Sequence, residues 1–157
     1  MKSSKERDGK SGNTKAKSPK YVALAVGMAH LMNDAYASFL HPLLPRLMDK
    51  LGLSITLAAA LAMIFSLSSS IMQPLAGYLA DRFGRKIFVV AGPLISRIFL
   101  SLIGLAPSLP LLLLVLLLGG IGSAVFHPPG AAMSARTEEG KGSGLRMSFF
   151  SCCGSLG

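Results

Sequence analysis

Gly77-Tyr78-Leu79-Ala80-Asp81-Arg82-Phe83-Gly84-Arg85-Lys86 is a short charged segment clamped between two long apolar stretches. Each residue type has a physical task there. Gly77 lets a helix end press against a neighbour. Gly84 permits a tight reversal, because glycine reaches positive φ without steric penalty. Asp81 suits the partial positive charge of a nearby helix N-terminus. Arg82, Arg85 and Lys86 suit the cytoplasmic face of a membrane, where basic residues accumulate. A water-soluble core rarely places a cationic hairpin between two runs of membrane length.

Outward from that turn the chain alternates apolar blocks with short polar links. Hydrophobic residues make up 51% of it and charged residues 15%, and the apolar ones are concentrated in blocks long enough to span a bilayer. The spacing predicts an all-α membrane protein with four complete helices, at about 21–44, 55–79, 87–106 and 109–127. Pro128-Pro129-Gly130 should break or kink the fourth, since an interior proline removes a backbone bond. A fifth span begins at Met147 and reaches Gly157 after 11 residues, too few to cross.

Residues 1–20 differ in kind. Lys2, Lys5, Arg7, Lys10, Lys15, Lys17 and Lys20 are spaced by Ser and Gly without apolar periodicity, which predicts a disordered basic arm. The apolar run after it is too long for a signal peptide and is interrupted by His30, Asn33 and Asp34, so it reads as a retained helix. Of the 16 Lys and Arg, seven lie in the arm, three at Arg82, Arg85 and Lys86, and three at Arg136, Lys141 and Arg146. Only Arg46 and Lys50 fall on the other side. This bias puts the N-terminus in the cytoplasm, and it explains the basic excess by topology rather than by a nucleic-acid partner. Cys152 and Cys153 are adjacent and read as small apolar fillers.

Polar side chains inside a span need a reason. A carboxylate at mid-bilayer costs about 2.5–3.5 kcal/mol on insertion scales. His30, Asp34 and His41 follow one another at spacings of four and seven, which is one helical stripe, with Asn33 beside it. This stripe reads either as a substrate or proton pathway or as an interhelical hydrogen-bond anchor. His41 lies near the outer interface, where the structural role applies. Arg97 sits mid-helix and reads as a partner for Asp34 or as a contact for an anionic substrate. Ser66, Ser70, Gln73 and Gly77 share a face of the second helix suited to close packing or to lining a polar pathway. Gly119, Gly120, Gly122, Ser123 and Ala124 form a second close-approach surface. His127 extends it to the cytoplasmic end, as a gate or as a hydrogen-bonded terminus. The histidines and Asp34 appear at different depths without tight ligand spacing, so no metal site is expected. No phosphate loop, catalytic triad or cofactor motif occurs, so no enzyme activity and no cofactor are expected.

The segment Gly77–Lys86 resembles the signature G-x-x-x-D-R-x-G-R-K of the major facilitator superfamily, with every defining position present. Within it, the chain is most similar to the fosmidomycin-resistance branch of drug exporters. The supporting residues are His30, Asn33-Asp34, Phe39-Leu40, Pro42 to Pro45, Gln73-Pro74, Gly120 to Pro128, Gly144 and Met147-Ser148. Helix four lacks the arginine that many proton antiporters of the superfamily carry. The resemblance implies a twelve-helix bundle in two halves, of which this chain is the N-terminal part, in the plasma membrane. It implies proton-coupled efflux of a small drug-like molecule. Asp81, Arg82 and Arg85 would then form a cytoplasmic latch, with Gly77, Gly84 and Lys86 completing the motif. His30, Asn33, Asp34, Arg97 and His127 are the expected pathway residues. The alternatives are a porter for another small solute (sugar, nitrate or organic acid), or a non-transporting membrane fragment whose basic arm binds anionic lipid.

Overall fold

The computed structural model describes residues 19–136 and 142–157. All but the last two residues of the expected basic arm, and Lys141, lie outside the described residues. Seven α-helices follow in order: α1 (Pro19–Ser38), α2 (Leu40–Leu51), α3 (Ile55–Ile71), α4 (Gln73–Phe83), α5 (Arg85–Ser101), α6 (Leu109–Ala135) and α7 (Ser143–Leu156). One 3-10 turn, Ile103–Leu105, ends the α5 segment, and there is no strand among the described residues. The chain is an all-α membrane protein.

Three helical segments are long and apolar enough to cross a bilayer: Ile55–Phe83, Arg85–Leu105 and Leu109–Ala135. The first expected span, 21–44, is not among them, because His30, Asn33 and Asp34 dilute its apolar character. That span also divides at Phe39 and continues as α2 to Leu51. Pro42 stands in the first turn of α2, where a missing N–H costs nothing. Gly52 closes α2 at φ 64°, donating its N–H to the Met48 carbonyl.

The second span divides at Met72. Pro74 then falls in the first turn of α4 rather than in a helix interior, and α4 runs on to Phe83 instead of stopping at Leu79. The ten-residue turn therefore narrows to one non-helical residue. Gly84 alone reverses the chain, at φ 106°, and α5 begins at Arg85. Helix α7 likewise starts at Ser143, ahead of the expected Met147, behind Gly142 at φ 78°.

α6 is the central element. It packs most extensively on α5 and also on α3, α4, α1 and α7. Small residues permit this. A Cβ on Gly120 would meet the Phe65 carbonyl of α3 at 2.8 Å, and one on Gly122 would meet the Ser96 Cα of α5 at 2.9 Å. Across the same seam, a Cβ on Gly92 would meet Phe126 N at 2.8 Å. α6 passes through Pro128 and Pro129 without ending and runs to Ala135, beyond the expected bound at 127. An interior proline costs about 3 kcal/mol, but here the helix is packed on several sides, and Gly77 of α4 leaves room for the Pro128 ring. The packed face of α3 carries Ala58, Leu61, Phe65 and Ser68. Ser66 and Ser70, expected either to pack closely or to line a polar pathway, are exposed.

At the end of the bundle opposite Gly84, Lys50 Nζ donates to the Gly104 and Ala106 carbonyls at 2.9 Å each. This ties α2 to the exit of α5 and satisfies carbonyls that the 3-10 turn leaves open.

Candidate functional site

The densest buried polar cluster joins α1 to α6. On α1, His30 and Asp34 stand one turn apart, with His30 Nε2 3.1 Å from Asp34 Oδ2. From α6, His127 brings Nε2 to 3.6 Å from Asp34 Oδ1. Asn33, 1% exposed, donates from Nδ2 to Asp34 Oδ1 at 2.9 Å and to Ser123 Oγ at 3.1 Å. Ser123 in turn meets His127 Nε2 at 3.2 Å, one turn along α6.

The partners of His30 determine its protonation pattern. Its Nδ1 lies 2.8 Å from the Phe150 carbonyl of α7, and a carbonyl only accepts, so Nδ1 carries a hydrogen. The other nitrogen faces a carboxyl oxygen. A neutral imidazole would present a lone pair to an ionised carboxylate. One further proton therefore lies between His30 Nε2 and Asp34 Oδ2, on one or the other. Aromatic rings wall this pair. Phe150 stacks on His30 with centroids 4.0 Å apart, and Phe126 lies at 5.7 Å. The apolar walls strengthen every charge interaction inside them. The outer side stays open, with the Asp34 and His127 side chains 27% and 22% exposed.

Four of the five expected pathway residues thus meet: His30, Asn33, Asp34 and His127. Arg97 does not join them. The carboxylate expected to pair with it is held by two histidines and an asparagine instead. The half-buried Arg97 guanidinium makes no ion pair or hydrogen bond among the described residues, although its backbone carbonyl accepts from Ser101 Oγ at 2.7 Å. His41 is exposed on α2 and does not join the cluster. His127 is not at a helix terminus. α6 extends eight residues beyond it, so the residue sits inside the bundle at the depth of Asp34. The ligating atoms of His30, Asp34 and His127 all lie within 4.8 Å of one another. The expectation of different depths fails for this pair of helices. Two contributors escaped the sequence reading. Ser123 was legible, standing four residues before His127 on one face. The Phe150 carbonyl was not, since a backbone acceptor leaves no mark in the sequence.

At the opposite end of α4, Arg85 Nε and Nη2 both reach Asp81 Oδ1 at 2.8 Å across the Gly84 reversal. Arg82 approaches Tyr78 Oη at 3.4 Å and lies over the Phe83 ring.

Comparison with known proteins agrees with this architecture. The family model described as Major Facilitator Superfamily matches residues 25–157. The fosmidomycin resistance protein of Escherichia coli (strain K12) is 32% identical over 144 residues, covering 92% of this chain and 35% of that protein. An uncharacterized MFS-type transporter, YfnC of Bacillus subtilis (strain 168), is 29% identical, covering 87% of this chain and 33% of its own length. Multidrug resistance protein 1 of Bacillus subtilis (strain 168) is 33% identical over 103 residues, covering 62% and 26%. The chain therefore spans about a third or less of the relatives it matches. No solved structure matches significantly. The family match takes in every residue of the buried cluster and of the charged turn, and the chain belongs to the Major Facilitator Superfamily of membrane transporters.

Proposed function

We propose that the whole transporter containing this chain exports a small drug-like molecule against proton influx, with the His30–Asp34–His127 cluster as part of the substrate and proton pathway. The observation that carries this reading is the 3.1 Å approach of His30 Nε2 to Asp34 Oδ2, which holds a shared proton at a partly exposed site between α1 and α6. A carboxyl group so placed can pass its proton to water or substrate when the bundle rearranges. The likeness to two relatives, a fosmidomycin resistance protein and a multidrug resistance protein, supports an exported drug as cargo. Arg97, half-buried and without a carboxylate partner among the described residues, is the proposed contact for an anionic portion of the substrate. Cells expressing the whole transporter should survive raised levels of fosmidomycin or another small antibiotic, and a protonophore should abolish that protection. Unchanged susceptibility across a broad panel, with the protein present in the membrane, would overturn the reading.

The plasma membrane is the proposed location, with the N-terminus in the cytoplasm. Arg82, Arg85 and Lys86 lie at one end of the bundle, while Lys50 lies at the other beside Ala106. Ser108 follows on that second end and is exposed. With Cys152 and Cys153 replaced by alanine, a Ser108→Cys variant should react with a membrane-impermeant maleimide applied to intact cells. Protection until the cells are lysed would reverse the orientation.

Asp81, Arg82 and Arg85 are the proposed latch, supported by the fork of Arg85 onto one Asp81 oxygen. The Asp81 side chain is 62% exposed, so the pair itself contributes at most about 1 kcal/mol to stability. Asp81→Ala should leave membrane level and melting temperature nearly unchanged while lowering transport severalfold. Wild-type transport by that variant would remove the latch assignment.

A further inference from the structure

We infer that the cluster between α1 and α6 is a binding site for one divalent transition-metal ion of the zinc class, ligated by His30 Nε2, Asp34 and His127 Nε2. Tetrahedral zinc with bonds of about 2.0–2.1 Å places neighbouring ligand atoms about 3.3 Å apart. His30 Nε2 stands 3.1 Å from Asp34 Oδ2 and His127 Nε2 stands 3.6 Å from Asp34 Oδ1, so each histidine is near that value from one oxygen of the carboxylate. With one oxygen taken from Asp34, the three ligand atoms lie within 4.8 Å of one another, so no separation has to close by more than about 1.5 Å, within reach of small ring and carboxylate rotations.

The surroundings are those a metal site needs. A ligating histidine usually donates its second nitrogen to a carbonyl or carboxylate, which fixes the tautomer and aims the ring. His30 does this through Nδ1 to the Phe150 carbonyl, leaving Nε2 directed at the centre. Ligating carboxylates are themselves hydrogen-bonded, and Asn33 Nδ2 donates to Asp34 Oδ1. Phe126 and Phe150 exclude water on one side. The partial exposure of Asp34 and His127 leaves access for the ion and room for a water or hydroxide as fourth ligand. Two imidazoles with one carboxylate favour zinc, cobalt, nickel or copper over magnesium and calcium, which prefer six or more oxygens.

Binding stands on ligand geometry and is independent of the transport reading. Its consequence for transport rests on that reading: a bound ion would occupy the place of the shared proton and block the cycle. The chain purified in detergent should take up one equivalent of cobalt(II), with the visible absorption of a four-coordinate site. Zinc should displace the cobalt and magnesium should not. Asp34→Asn and His127→Gln should each weaken binding at least tenfold, while His41→Gln, outside the cluster, should leave it unchanged. In the unmutated chain, zinc should protect His30 and His127 from carbethoxylation, read by mass spectrometry. This second measurement needs no variant to fold. Absence of saturable cobalt uptake, unaltered affinity in both cluster variants, or equal carbethoxylation with and without zinc would each overturn the site. Metal binding in a protein that fails to export would count against the transport reading alone. Export without metal binding would count against this inference alone.

Discussion

Asp34→Asn should abolish uphill export by the whole transporter and leave downhill exchange of substrate partly active. The reason lies in what asparagine keeps and what it loses. It keeps the shape of the side chain, the acceptor for Asn33 Nδ2 and an N–H that can donate to His30 Nε2, so the contacts joining α1 to α6 survive. It cannot bind or release a proton. Coupling is therefore lost while the path for substrate remains, and accumulation in inverted vesicles with an imposed pH gradient should fall to the equilibrium level. Asp34→Leu separates mechanism from structure. It strands His30 Nε2 and leaves Asn33 and His127 with Ser123 alone, and a stranded buried group costs about 1–3 kcal/mol. Folded yield should then drop, which the asparagine variant should not show. Full proton-driven export by the asparagine variant would remove Asp34 from the mechanism and leave it an anchor between helices.

Gly122→Val should cost most of the folded protein. The Ser96 backbone of α5 fills the space that a side chain would need, and Gly92 brings α5 equally close to Phe126. Overpacking a tight core costs about 1–3 kcal/mol and sometimes more. Here the obstacle is main chain on both sides, which cannot rotate away, so the cost falls at or beyond the top of that range. Gly104→Ala meets nothing within 4 Å and should stay within about 0.5 kcal/mol of the parent. Gly130→Ala, whose nearest neighbours are the Phe126 and Phe150 rings at 3.3 Å, should lie between them. The measurement is the monodisperse fraction in detergent and its melting temperature. Equal yields for Gly122→Val and Gly104→Ala would show that α5 and α6 do not pack through this seam.

The sequence by itself determined the helical membrane class, the family and the charged reversal. Those properties depend on runs, spacings and residue types that are local in the chain. The apolar blocks exceed what a soluble core uses, the segment from Gly77 to Lys86 carries every motif position, and Gly84 is where the chain turns, at φ 106°. The glycines of α6 also announced a close approach before its partners α3 and α5 were known. Only the tertiary structure decided who meets whom. Asp34 was a carboxylate in search of a partner, and depth along an isolated helix pointed to Arg97. The α1–α6 crossing supplied His127 instead, and packing carries α6 on through Pro128 and Pro129 to Ala135. Ser66 and Ser70 made a plausible packing face by composition, yet the neighbours of α3 lie on the side of Ala58, Leu61 and Phe65. The Phe150 carbonyl, which sets the tautomer of His30, is 120 residues away in the chain. Helix propensity and hydropathy act within a few turns of chain, whereas partner choice is settled by the relative placement of whole helices, which no single segment encodes.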